Sequence, residues 1–267
     1  MNGTVQDRVL RPPAGEGAQR ADEGETMKTI GLIGGTSWES TLDYYRLLNQ
    51  GVRARLGGFH SSRLLLSSVD FAEFVPLMKS GDWVTLGARL ATEAHLLEKA
   101  GADVIVLCTN TMHKVAPAIQ GAISVPFLDI RSVCGAAIRH EKLKKPLLLG
   151  TRYTMESDFF TAHLSEVSQL QPLVPSAEDQ LVIDHIIFDE LVKGVVSPGS
   201  KAKYLGIIAK ADAADCVIFG CTEIGMLLTQ ADLAQANLKL PVFDTMKLHV
   251  EAALNFALKK TVLEKTP

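Results

Sequence analysis

Apolar positions along this chain fall into short continuous runs separated by longer stretches with helical spacing. The runs are Lys28 to Ile33, Arg63 to Val69, Asp103 to Leu107, Pro126 to Ile130, Pro146 to Leu149, Gln171 to Val174, Cys216 to Phe219 and Leu240 to Asp244. Each has the length of a strand. Most lack the apolar–polar alternation of a strand wetted on one face, which predicts parallel strands covered on both faces. Helical spacing runs from Thr36 to about Leu56, and over Asp82–Ala100, Ser132–Lys142, Asp179–Val192, Ser200–Ala211 and Thr245–Lys259, with a further helix starting near Glu156. Thr36 followed by Glu39 predicts a capping box at the first helix, and Gly101 predicts the stop of the second. The alternation of the two kinds of segment predicts an α/β fold, with parallel, doubly wound sheets and helices on both faces.

The order of signals repeats. Gly34-Gly35-Thr36 corresponds to Gly150-Thr151, Cys108-Thr109 to Cys221-Thr222, and Val125-Pro126-Phe127 to Leu240-Pro241-Val242-Phe243. The similar offsets predict two pseudo-symmetric domains from a duplicated unit. The N-terminal α/β domain takes residues 27–124 plus 243–267, and the second takes 125–242, with the active site in the cleft between them. Residues 1–26 hold Gly, Pro, Arg, Glu and Asp with almost no apolar periodicity. They read as a disordered extension, without the apolar segment of a signal peptide.

Composition narrows the partners. With 47% hydrophobic and 21% charged residues the chain is ordinary for a soluble protein and supports one large or two small cores. A net charge of −3 gives no electrostatic basis for binding nucleic acid or a membrane surface. No apolar run has the length of a membrane span. Four cysteines in a chain this long do not make a disulfide framework, and their spacing matches no zinc pattern, so no metal is expected. Free thiols predict a reducing, cytoplasmic location.

The candidate chemistry gathers at the ends of the runs. Val104-Ile-Val-Leu-Cys108-Thr-Asn-Thr-Met-His113 and Cys216-Val-Ile-Phe-Gly-Cys221-Thr-Glu both stop at a Cys-Thr pair. Such a run delivers a thiol to the C-terminal edge of a parallel sheet, where ligands bind in open α/β folds. Two opposed thiols suit the removal of a proton from one face of a carbon and its return to the other. A helix start beside each favours the thiolate. Taken singly, either cysteine is equally a small buried apolar group; Cys134 and Cys216, inside apolar stretches, are read that way. Asn110 and Thr111, with Thr222 in the second half, can hold a carboxylate; Thr109 can serve the turn alone. Gly34-Gly35 lacks the dinucleotide fingerprint and reads either as a tight turn or as a close approach to a small anion. Glu223 either orients the Cys221 thiol or caps a helix, and Lys193 either counters a second carboxylate or is a solvated helix-end lysine. His113 and Asp70 read as capping, packing or turn residues.

With Cys-Thr-Asn-Thr, Gly-Cys-Thr-Glu and Gly-Gly-Thr-Ser-Trp-Glu-Ser-Thr in one chain, the sequence from about Met27 onward resembles the aspartate/glutamate racemase family. The resemblance implies two α/β domains with the site between them, an amino-acid substrate, no pyridoxal phosphate or other cofactor, and a homodimer. It implies catalytic roles for Cys108 and Cys221 and contacts to the α-carboxylate from Asn110 and Thr111. It places Gly35, Thr36 and Thr151 along the same site, and Lys193 toward the side-chain carboxylate. Aspartate is the implied substrate, with glutamate a second candidate. The loop Ser67-Ser-Val-Asp-Phe-Ala-Glu-Phe-Val-Pro76 departs from the family pattern, because it lacks the arginine that many aspartate racemases carry there. A neutral polar amino acid, a hydantoin, or non-catalytic binding of an amino acid are the alternatives.

Overall fold

The computed structural model describes residues 27–258. The expected extension over residues 1–26 lies outside them, as do the last residues of the chain. The elements of the first half are β1 (Ile30–Gly34), α1 (Trp38–Leu56), β2 (Leu64–Ser68), α2 (Phe71–Ser80), α3 (Trp83–Lys99), β3 (Val104–Leu107), α4 (Ala116–Gly121), β4 (Phe127–Leu128) and α5 (Ile130–His140). The second half adds β5 (Pro146–Leu149), α6 (Arg152–Glu156), α7 (Asp158–Glu166), α8 (Ala177–Asp189), α9 (Pro198–Ala209), β6 (Cys216–Phe219), α10 (Ile224–Leu227), α11 (Gln230–Gln235), β7 (Val242–Asp244) and α12 (Thr245–Ala257).

The strands form two sheets, ordered β2-β1-β3-β4 and β5-β6-β7, and every pairing is parallel. Strands β1, β3, β5 and β6 are buried along their whole length, as their continuous apolar runs require. Side chains leave each strand alternately toward two helical layers. Val104 and Val106 of β3 join the cluster of Tyr44, Leu48 and Val52 on α1 with Val250 and Leu254 on α12. Ile105 and Leu107 join Leu86, Leu90 and Ala94 on α3. In β6, Cys216 and Ile218 meet Cys134 and Ile138 on α5, while Val217 and Phe219 meet Ile183, Ile207 and Ile208 on α8 and α9. Cys134 and Cys216 are core residues, as expected. This is the α/β architecture with helices on both faces of parallel sheets.

Register relates the halves. Ile33 pairs with Leu107 in the first sheet, and Leu149 with Phe219 in the second. Phe127 then matches Val242, each opposite its central strand, and Asp129 matches Asp244, each the N-cap of the helix that follows.

Several details differ from expectation. The expected boundary at residue 125 puts β4 in the second half, yet β4 pairs with β3 in the first sheet; β7 belongs to the second sheet up to Asp244. The cap of α1 is Ser37, not Thr36: the Ser37 hydroxyl accepts from the Ser40 amide, and Glu39 contacts that hydroxyl. Thr36 is thereby left free. α2 was not anticipated, because Pro76 inside it reads as a helix breaker; Asp70 is its N-cap. The helix expected near Glu156 is two helices, broken at Ser157 in extended conformation. Gln171–Val174 yields one bridge, Leu147 with Leu173, because the ladder's next donors on either side are Pro146 and Pro175, which have no N–H.

Candidate active site

The C-terminal ends of β1, β3, β5 and β6 converge on one narrow cavity of about 40 Å³. Thr36 and Ser37 line it from β1, Cys108 to Met112 from β3, Thr151 from β5, and Gly220 to Glu223 from β6. Phe71 and Met78 of α2 with Ile187, Phe188 and Val192 complete the wall. The location follows the rule for open α/β sheets.

Backbone hydrogen bonds match the strand ends residue by residue. The Cys108 amide donates to the Ile33 carbonyl, and the Gly220 amide donates to the Leu149 carbonyl. Cys108 is therefore the structural counterpart of Gly220, and Thr109 is the counterpart of Cys221. The sequence pairing of Cys108-Thr109 with Cys221-Thr222 is off by one residue. It rested on a shared dipeptide, whereas the ladder sets the equivalence. Cys108 is 1% exposed and continues the Val104–Val106 face into the cluster with Tyr44 and Met246. Burial pushes its thiol well above the ordinary value. Thr109 is the first partly exposed side chain past the strand.

The turn at Thr109 is held from behind. His113 Nδ1 lies 2.7 Å from the Thr109 carbonyl, and the Ile130 amide lies 3.2 Å from Nε2. A carbonyl only accepts and an amide only donates, so the proton sits on Nδ1. His113 is fully buried, and burial lowers its pKa to about 4, so it stays neutral. His249 bridges the Tyr44 hydroxyl and the Leu128 carbonyl, and its pKa falls to about 3 for the same reason. His113 is a packing residue that fixes the loop.

Cys221 carries the most distinctive contact. Its Sγ lies 2.9 Å from Glu223 Oε2, which also accepts from the Thr222 hydroxyl at 2.8 Å. Burial raises the thiol pKa well above its ordinary value, and the charge and hydrogen bond of Glu223 raise it further. The expected thiolate stabilisation by a helix start is overturned at both cysteines, because the segments that follow are a 3₁₀ turn, Thr111–Val115, and the four-residue α10, and burial outweighs them. Cys221 thus holds its proton at neutral pH, in contact with a carboxylate able to receive it.

The polar wall supplies donors and acceptors for an amino acid. Thr111, Thr151 and Thr154 form a hydroxyl triangle with edges of 3.0, 3.1 and 3.4 Å, linking the loops after β3 and β5. The Thr245 hydroxyl donates to the Phe219 carbonyl, so it accepts from Asn110 Nδ2 at 3.0 Å. That fixes the amide and leaves Asn110 Oδ1 buried without a partner; Thr36 Oγ1 is in the same state. Buried polar atoms are almost always paired, so two orphans on one cavity wall point to a polar ligand.

Two predicted residues are placed elsewhere. Gly35 has φ +92°, and a Cβ there would lie 2.1 Å from the Val69 carbonyl oxygen; its freedom serves the approach of β1 to the chain after β2, not an anion. Lys193 is 63% exposed, 3.9 Å from Asp189, and outside the lining although its neighbour Val192 is in it. Among residues the sequence did not single out, Thr154 lacked any motif, and Phe71, Met78, Ile187, Phe188 and Val192 carry no signal that separates a cavity wall from a core.

The model of the Asp/Glu/hydantoin racemases matches residues 33–253. The chain belongs to that family. It is 44% identical to a Yersinia pestis protein classed provisionally as an Asp/Glu racemase, with a TM-score of 0.81 over 87% of this chain and 100% of that one. An aspartate racemase homologue from Pyrococcus horikoshii OT3 is 32% identical, with a TM-score of 0.76 over 87% of this chain and 100% of the other. The aspartate racemase of Picrophilus torridus shares the fold at 17% identity, with a TM-score of 0.64 over 86% of this chain and 94% of that one. The protein is accordingly an enzyme of the isomerase class, an amino-acid racemase. No helix among the described residues is long and apolar enough to cross a membrane.

Proposed function

We propose that this racemase inverts the α-carbon of a small amino acid by direct proton transfer to and from side chains, without pyridoxal phosphate. The observation that carries the reading is the Cys221–Glu223 contact of 2.9 Å at the end of β6, at the cavity. Glu223 accepts the thiol proton as substrate binds, and the resulting thiolate removes the α-proton. In the opposite direction the Cys221 thiol protonates the carbanion and recovers its proton from Glu223. The hydroxyls of Thr111 and Thr151 receive the α-carboxylate, where charge builds as the proton leaves, while the Thr222 hydroxyl holds Glu223 in place. Thr36 Oγ1 and Asn110 Oδ1 accept from the ammonium group. The other face of the carbon is served from the turn after β3. In the two-cysteine form that group is the Cys108 thiol; the strand register favours a second form, in which it is the Thr109 hydroxyl. A cytoplasmic homodimer goes with this reading, as does a division into two α/β domains, one built on the sheet β2-β1-β3-β4 and the other on β5-β6-β7.

Aspartate and glutamate are the first substrates to test, since the relatives are named for them. Dialysed enzyme without added pyridoxal phosphate is expected to form the D-enantiomer of at least one L-amino acid, read by chiral chromatography. Cys221→Ala should lose turnover by a factor of about 10²–10⁴, the usual worth of a positioned acid–base group. Full activity of that variant refutes the assignment.

A further inference from the structure

The cavity is divided in character. Its floor carries Asn110, Thr111 and Thr151, the groups suited to the carboxylate and ammonium that all α-amino acids share. Its apolar lining includes Phe71 and Met78 of α2 and Ile187, Phe188 and Val192. The one charged side chain in the lining is the Glu223 carboxylate, already engaged by Cys221 and Thr222.

No lysine or arginine of the described residues lines the cavity, and Lys79, at the end of α2, is exposed. Arg131 is clamped on Asp129 and donates to the Phe159 carbonyl. Arg152 pairs with Glu156, and Arg89 with Glu73. Lys114 lies 4.4 Å over the Trp83 ring and donates to Ser157, and Lys193 sits beside Asp189 on the surface. A second carboxylate on the substrate would therefore enter an apolar wall with no counter-ion, in a cavity that already holds a negative charge. Both effects oppose it.

From this division, and resting on the racemase reading above, we infer that the preferred substrates are α-amino acids with a short uncharged side chain rather than dicarboxylates. The floor binds the zwitterion, and the wall of Phe71, Met78, Ile187, Phe188 and Val192 selects the side chain.

The test is a panel of L-alanine, L-2-aminobutyrate, L-leucine, L-aspartate and L-glutamate, each given to the full chain in D2O, with loss of the α-proton signal followed by NMR. The best uncharged acid is expected to exchange at least about tenfold faster than either dicarboxylate, since an unpaired buried charge costs that much or more. Val192→Arg, which adds a cation to the wall, should shift that ratio toward aspartate by at least about tenfold. Faster exchange of aspartate or glutamate by the unmodified enzyme overturns this inference and leaves the racemase reading intact. Silence across the whole panel overturns the racemase reading, and the inference with it.

Discussion

Cys108 and Thr109 are adjacent in sequence and both border the cavity, but they differ in surroundings. The Cys108 thiol is buried in the α1–α12 core, whereas Thr109 is partly exposed. This yields a contrast between single variants. Cys108→Ala should cost about 1 kcal/mol of stability, as small buried truncations do, and keep most of the turnover. Thr109→Ala should lose about 10²–10⁴-fold in kcat, and Thr109→Ser should recover much of it. Chiral rate assays beside urea melts read both effects. Loss of activity in Cys108→Ala at unchanged fold would restore the two-thiol form. At this scale the sequence made Cys221 and Glu223 legible, because Gly-Cys-Thr-Glu places thiol and carboxylate two residues apart at a strand end. It paired Cys108 with Cys221 one residue out of register, because a repeated dipeptide carries no information about strand register. For Lys193 the resemblance gives a position in the chain, and the direction of the side chain, here outside the lining, is not legible from it.

At the scale of elements, the strands were the most legible part. Continuous apolar runs such as Val104–Leu107 and Pro146–Leu149 have few other uses, and the observed strands nearly coincide with them. α2 was the least legible, since Pro76 and the mixed pattern of Phe71-Ala-Glu-Phe-Val hide its helix. Yet this helix brings Phe71 and Met78 to the cavity, and Gly81, left-handed at φ 75°, ends it. Its start depends on Asp70, whose carboxylate accepts from the Ala72 amide at 3.0 Å. Asp70→Ala should therefore destabilise the protein by about 1 kcal/mol through the lost cap. A loosened α2 opens the apolar wall, so KM should rise several-fold while kcat changes little. Steady-state kinetics with the best substrate, alongside a thermal melt, check both; unchanged KM with lowered stability would show that α2 does not shape the site.

For the whole molecule, two sheets of matched register bring four strand ends to one small cavity. α12 packs against both α1 and α5, so the chain's last described helix ties the halves together. The duplication was legible in the order of the turn signals. The placement of β4 was not, because a two-residue strand gives too short a pattern to assign it to either sheet. The central claim is that the loops of these sheets exchange the α-proton of an amino acid with side chains alone. It is tested most directly by incubating dialysed enzyme, without pyridoxal phosphate, with its best L-substrate in D2O. The product's chirality and α-deuterium are then measured for unmodified enzyme and for Cys221→Ala. D-product carrying solvent deuterium at Cα is expected from the unmodified enzyme, and neither is expected from the variant. D-product that keeps its original α-proton, or undiminished exchange by the variant, would contradict it.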